Sequence, residues 1–272
     1  MPFSHENLKV YQRALSFCAR VGAWTGAWDG RHAIADQFSR AAGSILENIA
    51  MASAAHSAMK MRCMDYAIGS SIECAACFDL AHIKRLLDGD TVRAGKAELS
   101  QILRMLVGLR KAWGNETGSV REDGGEYRVR DEDFDKAYDK AYDKVEDGGE
   151  AMFHHETLDV YRGALAAAGV IYSSQAITDL PNPAFRRLDE LITSMVLNIA
   201  EGNGRFSDAD QARFLGTSYE SAIKLAARLD LCCARGLLPR SETNGFKGPL
   251  ERVAAMTYGM IRSVKAKGGQ NA

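Results

Sequence analysis

Cys74 and Cys77 stand in a C-x-x-C spacing, the arrangement most able to hold zinc or to run thiol redox chemistry. A zinc site needs a second cysteine pair or histidine partners at matching spacing, and none follows. Both cysteines fall inside an apolar helical pattern, so reduced core thiols are expected. Cys232 and Cys233 are adjacent and cannot both face one core. His5–Glu6 and His155–Glu156 recur at an offset of 150, each just ahead of a helical pattern. A helix-start cap or a surface contact fits them better than catalysis. A carboxylate-bridged di-metal centre in a bundle uses Glu-x-x-His pairs, and the sequence has none. Walker, dinucleotide-binding and nucleophile-elbow motifs are missing as well. The sequence thus predicts no catalytic residue, no metal and no cofactor, and a protein that is not an enzyme.

The remaining polar residues on apolar helical faces are Ser44, Asn48 and Glu73, and, later, Ser194, Asn198 and Glu220. Polar groups near a core need partners. An internal polar lock is expected, with each Asn bonded across to the Glu of the third helix and each Ser extending the network.

The elements that would position these residues are written twice. FSHENLKVYQRAL at 3–15 returns as FHHETLDVYRGAL at 153–165, with eight of thirteen positions identical. SILENIA at 44–50 returns as SMVLNIA at 194–200; GSSIE at 69–73 matches GTSYE at 216–220, an offset of 147. Each copy reads as four apolar-periodic segments. The first carries Leu8, Tyr11, Leu15 and Cys18, or Leu158, Tyr161, Leu165 and Ala168. The second carries Phe38, Ala42, Ile45 and Ile49, or Leu188, Ile192, Met195 and Ile199. Pro181 and Pro183 separate two helices, Ser207 with Asp210 reads as a cap, and Gly236 with Pro239 ends the third. The predicted fold is all-α: two tandem antiparallel four-helix bundles, 1–115 and 151–272, joined by an acidic, low-complexity linker at 116–150 whose DKAYDKAYDK run would make a frayed helix.

Formal charge is +4 for 1–115, −7 for 116–150 and +2 for 151–272, within a whole-chain value of −1. Such modest basicity does not by itself point to nucleic acid. Arg31, Arg40, Lys60 and Arg62, with Arg186, Arg187, Arg205 and Arg213, nevertheless gather around the two ends of the second helix and the start of the third in each copy and are the candidate nucleic-acid or partner contacts. The chain has no run of apolar residues long enough for a membrane span, and its cysteine usage suits a cytoplasmic setting.

Read together, F-x-x-L-x-V-Y-x-x-A-L, Q-x-x-R-A-A-x-S-I-x-x-N-I-A and A-x-G-S-x-x-E in the first half, with N-I-A-E-G-N-G-R-F-S in the second, carry a family resemblance. The chain resembles the bacterial four-helix-bundle proteins encoded in intervening sequences of 23S rRNA genes, a family that includes the accessory protein Avd of diversity-generating retroelements. The resemblance implies a non-enzymatic bundle that forms a homo-oligomer, a pentamer in such relatives, and partners RNA and a reverse transcriptase. The alternative is a purely structural oligomerisation or protein-interaction module. Each half departs from the pattern differently. The first has Gln37, Arg40, Ser44 and Asn48 but Met51 to Ala55 in place of E-G-x-x-R; the second has Glu201, Gly202 and Arg205 but Arg187 and Glu190 in place of Gln37 and Arg40. Two bundles per chain raise a parity problem for a five-membered ring: either the two halves pair with each other and the ring is abandoned, or, as expected here, five chains assemble in two distinct layers.

Overall fold

The computed structural model describes residues 4–116, 153–205 and 207–268. The acidic linker and its DKAYDKAYDK run lie outside these residues. In the first half a short 3-10 turn, Ser4–Asn7, leads into α1 (Lys9–Gly26), α2 (Ile34–Ala54), α3 (Ser57–Ile83) and α4 (Gly89–Glu116). In the second, a turn at His154–Thr157 leads into α5 (Asp159–Tyr172), the single-turn α6 (Gln175–Thr178), α7 (Asn182–Asn203), α8 (Asp208–Ala234) and α9 (Arg240–Gly268).

Local sequence sets the boundaries. Pro183 lies in the first turn of α7, where its missing N–H leaves no helical bond unmade. Ser207 Oγ accepts from the Asp210 amide at 3.1 Å and caps α8. Gly236, at φ +70°, ends α8 in the left-handed region, and the Leu237 amide closes the turn on the Cys232 carbonyl. The same turn after α3 places Arg85 at φ 58°, a conformation glycine adopts without strain and arginine does not.

Within each half, helix one packs on helices two and four, and helix three on two and four, which closes the antiparallel bundle. Phe38, Ala42, Ile45 and Ile49 of α2 and Leu188, Ile192, Met195 and Ile199 of α7 are all buried, as their spacing predicts. Helix one is corrected: the buried stripe of α1 is Val10, Ala14, Phe17 and Val21, while Leu15 is exposed. Both stripes satisfy helical periodicity, so spacing alone could not choose between them.

The correspondence of the third helices also changes. They span 57–83 and 208–234, an offset of 151, so the match of GSSIE with GTSYE is slipped by four residues. One helical turn preserves the face, which is why the slipped match looked acceptable. The true counterparts are Ser70 and Ser221. Ser70 Oγ donates to Ser44 Oγ at 2.8 Å, and Ser194 and Ser221 share a hydrogen bond of the same length. Asn48 and Asn198 donate to the Ser44 and Ser194 carbonyls one turn back, at 2.8 and 2.7 Å. The repeated lock is therefore Asn–Ser–Ser, without the glutamates. Glu220 is exposed and pairs with Lys224, and Glu73 faces the other half of the molecule.

The two halves are packed against each other. The apolar residues they bury form one cluster, and α3 of the first half lies on α5 and α7 of the second.

Candidate functional site: the seam between the halves

The α3 face carrying Ile72, Ala76 and Asp79, at spacings of four and three, meets the second half along its length. Ile72 fills the space beside Gly204, where a Cβ would lie 2.6 Å from the Ile72 Cδ1. Arg205, ion-paired with Glu201, lies over the rings of Phe214 in its own half and Tyr66 in the other. Contact of mid-α3, at Tyr66, Gly69 and Ile72, with the α7 end, and of the α3 end with early α7, makes these helices antiparallel and α2 parallel to α7.

Two charged clusters lock the seam. In one, Lys84 Nζ and Asp189 Oδ1 are 2.7 Å apart, both side chains completely buried. Asp189 also accepts from the Ala33 amide and the Tyr172 hydroxyl, both at 2.7 Å, and His32 Nδ1 lies 3.6 Å away. Burial opposes the charge of Asp189, but Lys84 and the surrounding donors overcome it and hold the carboxyl well below the usual carboxylate range. Lys84 has fewer compensating groups: Asp189, the Thr193 hydroxyl at 3.1 Å and the Tyr172 ring. Burial accordingly pulls the ammonium below its ordinary value.

In the other cluster, Lys96 Nζ bridges Asp79 at 2.5 Å and Glu156 at 2.6 Å. Tyr161 donates to Asp79 at 2.9 Å, and the Phe153 amide donates to Glu156 at 3.0 Å. His155 is buried against Phe153 and Tyr161, not at the surface as its position suggested, and neither ring nitrogen has a hydrogen-bond partner. Burial and the nearby Lys96 charge push its pKa well down, so the ring is neutral. Asp79, His155 and Glu156 are close enough to share a cation, but the Lys96 ammonium already occupies that position between the carboxylates. The cluster is a latch in which the Lys96 ammonium engages both carboxylates.

Glu73 completes the seam. Burial, then the neighbouring Glu201, raises its pKa to about 7 against the pull of Arg40 and Arg205. Cys74 and Cys77 are buried in α3, and burial pushes both thiols well above their ordinary range, as expected of core thiols.

The eight basic residues singled out in the sequence divide between the two ends of the paired bundles. At one end Arg31 is drawn into the seam, over the Phe185 ring at 4.3 Å and donating to the Thr178 carbonyl. Arg186 and Arg187 lie on the same end and pair with Glu190. At the other end are Lys60, over Trp113, the exposed Arg62, Arg205 in the seam, and Arg213, which is exposed and paired with Asp210. Arg40 is exposed and pairs with Asp36. Because α2 and α7 are each about 30 Å long, the eight do not form one patch.

The seam was not anticipated from sequence. Its one available signal was the asymmetry between copies, since the E-G-x-x-R segment of the second copy lines the seam while its counterpart, Met51 to Ala55, lies outside it.

Among the described residues no helix is long and apolar enough to cross a membrane. No curated protein and no solved structure matches the chain. The model of the 23S rRNA-intervening sequence protein family matches twice, over residues 6–108 and 156–259, one match to each bundle. The chain therefore belongs to the 23S rRNA-intervening sequence protein family, as a tandem duplication whose copies are locked together by a buried charged seam.

Proposed function

We propose that the protein is a non-enzymatic helical accessory that binds RNA at the ends of its paired bundles. The observation that carries this reading is the parallel setting of α2 and α7, which points the starts of α3 and α8, with Lys60 and Arg62 on one and Arg213 on the other, the same way along the molecule. Phosphate affinity grows with the number of cations placed along one track. In the retroelement setting that the resemblance implies, a reverse transcriptase would be the second partner.

The test is fluorescence anisotropy of a labelled structured RNA with the full chain at 50 and 200 mM salt. Binding that weakens with salt, and a log–log slope about 2–3 shallower after alanine replacement of Lys60, Arg62 and Arg213, is the expected result. Absence of binding at 50 mM salt would overturn this reading. The second reading, an interaction module without nucleic acid, rests on a separate observation: outside the seam, the Asp230–Lys247 pair repeats Asp79–Lys96 and the His5–Tyr11 ring contact repeats His155–Tyr161.

A further inference from the structure

The Lys96 latch accounts for the charges of its cluster but not for His155. That imidazole is 1% exposed, and neither ring nitrogen has a hydrogen-bond partner. One ring nitrogen, one carboxylate oxygen of Asp79 and one of Glu156 all lie within 4.8 Å of one another. Both carboxylates are engaged elsewhere, by Lys96, by the Tyr161 hydroxyl and by the Phe153 amide. A buried polar group without a partner is costly to keep, so a histidine aimed between two carboxylates points to a ligand that all three can share.

The donor set selects the kind of ligand. Carboxylates alone suit magnesium or calcium, whereas an imidazole beside them favours a first-row transition ion. Zinc takes one such nitrogen and two such oxygens at about 2.0–2.2 Å and leaves its fourth position to water. The Lys96 ammonium stands further from its two oxygens, at 2.5 and 2.6 Å, and so holds the three donors wider apart than a metal ion would.

We propose that Asp79, His155 and Glu156 form a binding site for a divalent transition ion of the zinc class, which takes the place of the Lys96 ammonium between the carboxylates. Two carboxylates and one ammonium leave a net negative charge in the cluster; a dication neutralises it and gives His155 its missing bond. Lys96 can leave, because its side chain is 13% exposed and ends a flexible four-carbon stem. The carboxylates, 18% and 16% exposed, give the ion a route from solvent. Asp79 comes from α3 of the first half, and His155 and Glu156 from the turn that precedes α5 in the second, so the ion ties the halves across the seam. No short motif could reveal the site, because its ligands are written in different copies. Among the described residues it is the one group of three with this geometry. This inference does not depend on RNA binding.

The experiment uses the full chain, stripped with a chelator, at neutral pH, with Co2+ as the spectroscopic probe and Zn2+ for thermal melts. The wild type should take up one Co2+ per chain with the visible absorption of a nitrogen- and oxygen-ligated ion. Zn2+ at about ten times its dissociation constant should raise the melting midpoint by about 3–6 °C. His155→Phe keeps a ring against Phe153 and Tyr161 and leaves the Lys96 latch intact; it should retain the helical circular dichroism and lose both signals. Lys96→Met removes the competing ammonium and its two charge-assisted hydrogen bonds, and should bind the ion about tenfold more tightly or better. If Lys96→Met does not fold, the comparison of wild type with His155→Phe decides alone. A wild type that takes up neither ion at about 100 µM, uptake that survives His155→Phe, a near-ultraviolet thiolate band that puts the ion on the cysteines, or a folded Lys96→Met that binds no more tightly than the wild type would overturn the inference.

Discussion

Replacing Lys84 with Met leaves Asp189 ionised and completely buried, with the Ala33 amide and Tyr172 hydroxyl as its close donors. Removing one member of a buried ion pair costs about 3–5 kcal/mol, and full burial of both side chains puts this pair at the upper end. Asp189→Leu strands the Lys84 ammonium and should cost a similar amount. The double variant removes both charges and leaves only neutral orphans, each worth about 1–3 kcal/mol, so its cost should fall short of the sum of the singles by at least 2 kcal/mol. Urea unfolding followed by circular dichroism at 222 nm measures all four corners of this cycle. The sign with pH follows from Asp189. A carboxyl held below its unfolded value contributes stability that is present above the ordinary carboxylate range and is lost as pH falls through the folded value. The deficit of Lys84→Met should therefore be full at pH 7 and shrink as pH falls below about 4. A single-variant cost under 1 kcal/mol, or strict additivity at pH 7, would refute the reasoning.

Glu73 is protonated in the folded seam up to about pH 7 and ionises above it. Its folded pKa is raised, so the penalty is absent below the unfolded value, grows as pH rises between the two and is complete above 7. Glu73→Gln should match the wild type at about pH 4, below the unfolded value, and exceed its stability by about 2–3 kcal/mol at about pH 8; thermal melts giving the same difference at both pH values would contradict this. Arg85→Gly relieves a left-handed arginine and should stabilise the protein by about 1 kcal/mol, read as a rise in the urea midpoint. Because Asn198 bonds within its own helix and Glu220 is exposed, Asn198→Leu and Glu220→Leu should be additive in a double-mutant cycle, and a coupling above 1 kcal/mol would restore a direct contact.

The duplication and the helical content were legible because they are local: a repeated string and a period near 3.6 survive without knowledge of tertiary neighbours. The caps at Ser207 and Gly236 were legible for the same reason. Helix-one facing was ambiguous because Leu15 and Phe17 both complete a helical stripe. The seam was hidden because it is written across the copies, in Lys84 and Asp189 or Lys96 and Glu156, residues with no sequence proximity. Individually these look like solvated surface charges. The Asn–Glu lock was misread because the match of GSSIE with GTSYE, slipped by one turn, aligned Glu73 with Glu220, whose counterparts in the structure are Lys224 and Gly69, and hid the correspondence of Ser70 with Ser221. The sequence sets the basic residues around the ends of helix two and the start of helix three, but it could not show that Arg31 and Arg205 are used by the seam.

The central claim, that the two family copies form one cooperative body, has a direct test because Trp24, Trp28 and Trp113 are the chain's three tryptophans and all lie in the first half. Tryptophan fluorescence reports that half alone, while circular dichroism at 222 nm reports both. Leu225 is buried in the second half, where truncation to alanine should cost about 2–5 kcal/mol. In urea, Leu225→Ala should lower the fluorescence midpoint of the first half together with the circular dichroism midpoint. A fluorescence midpoint that stays at the wild-type value, while circular dichroism splits into two transitions, would show that the halves unfold independently and would contradict the account.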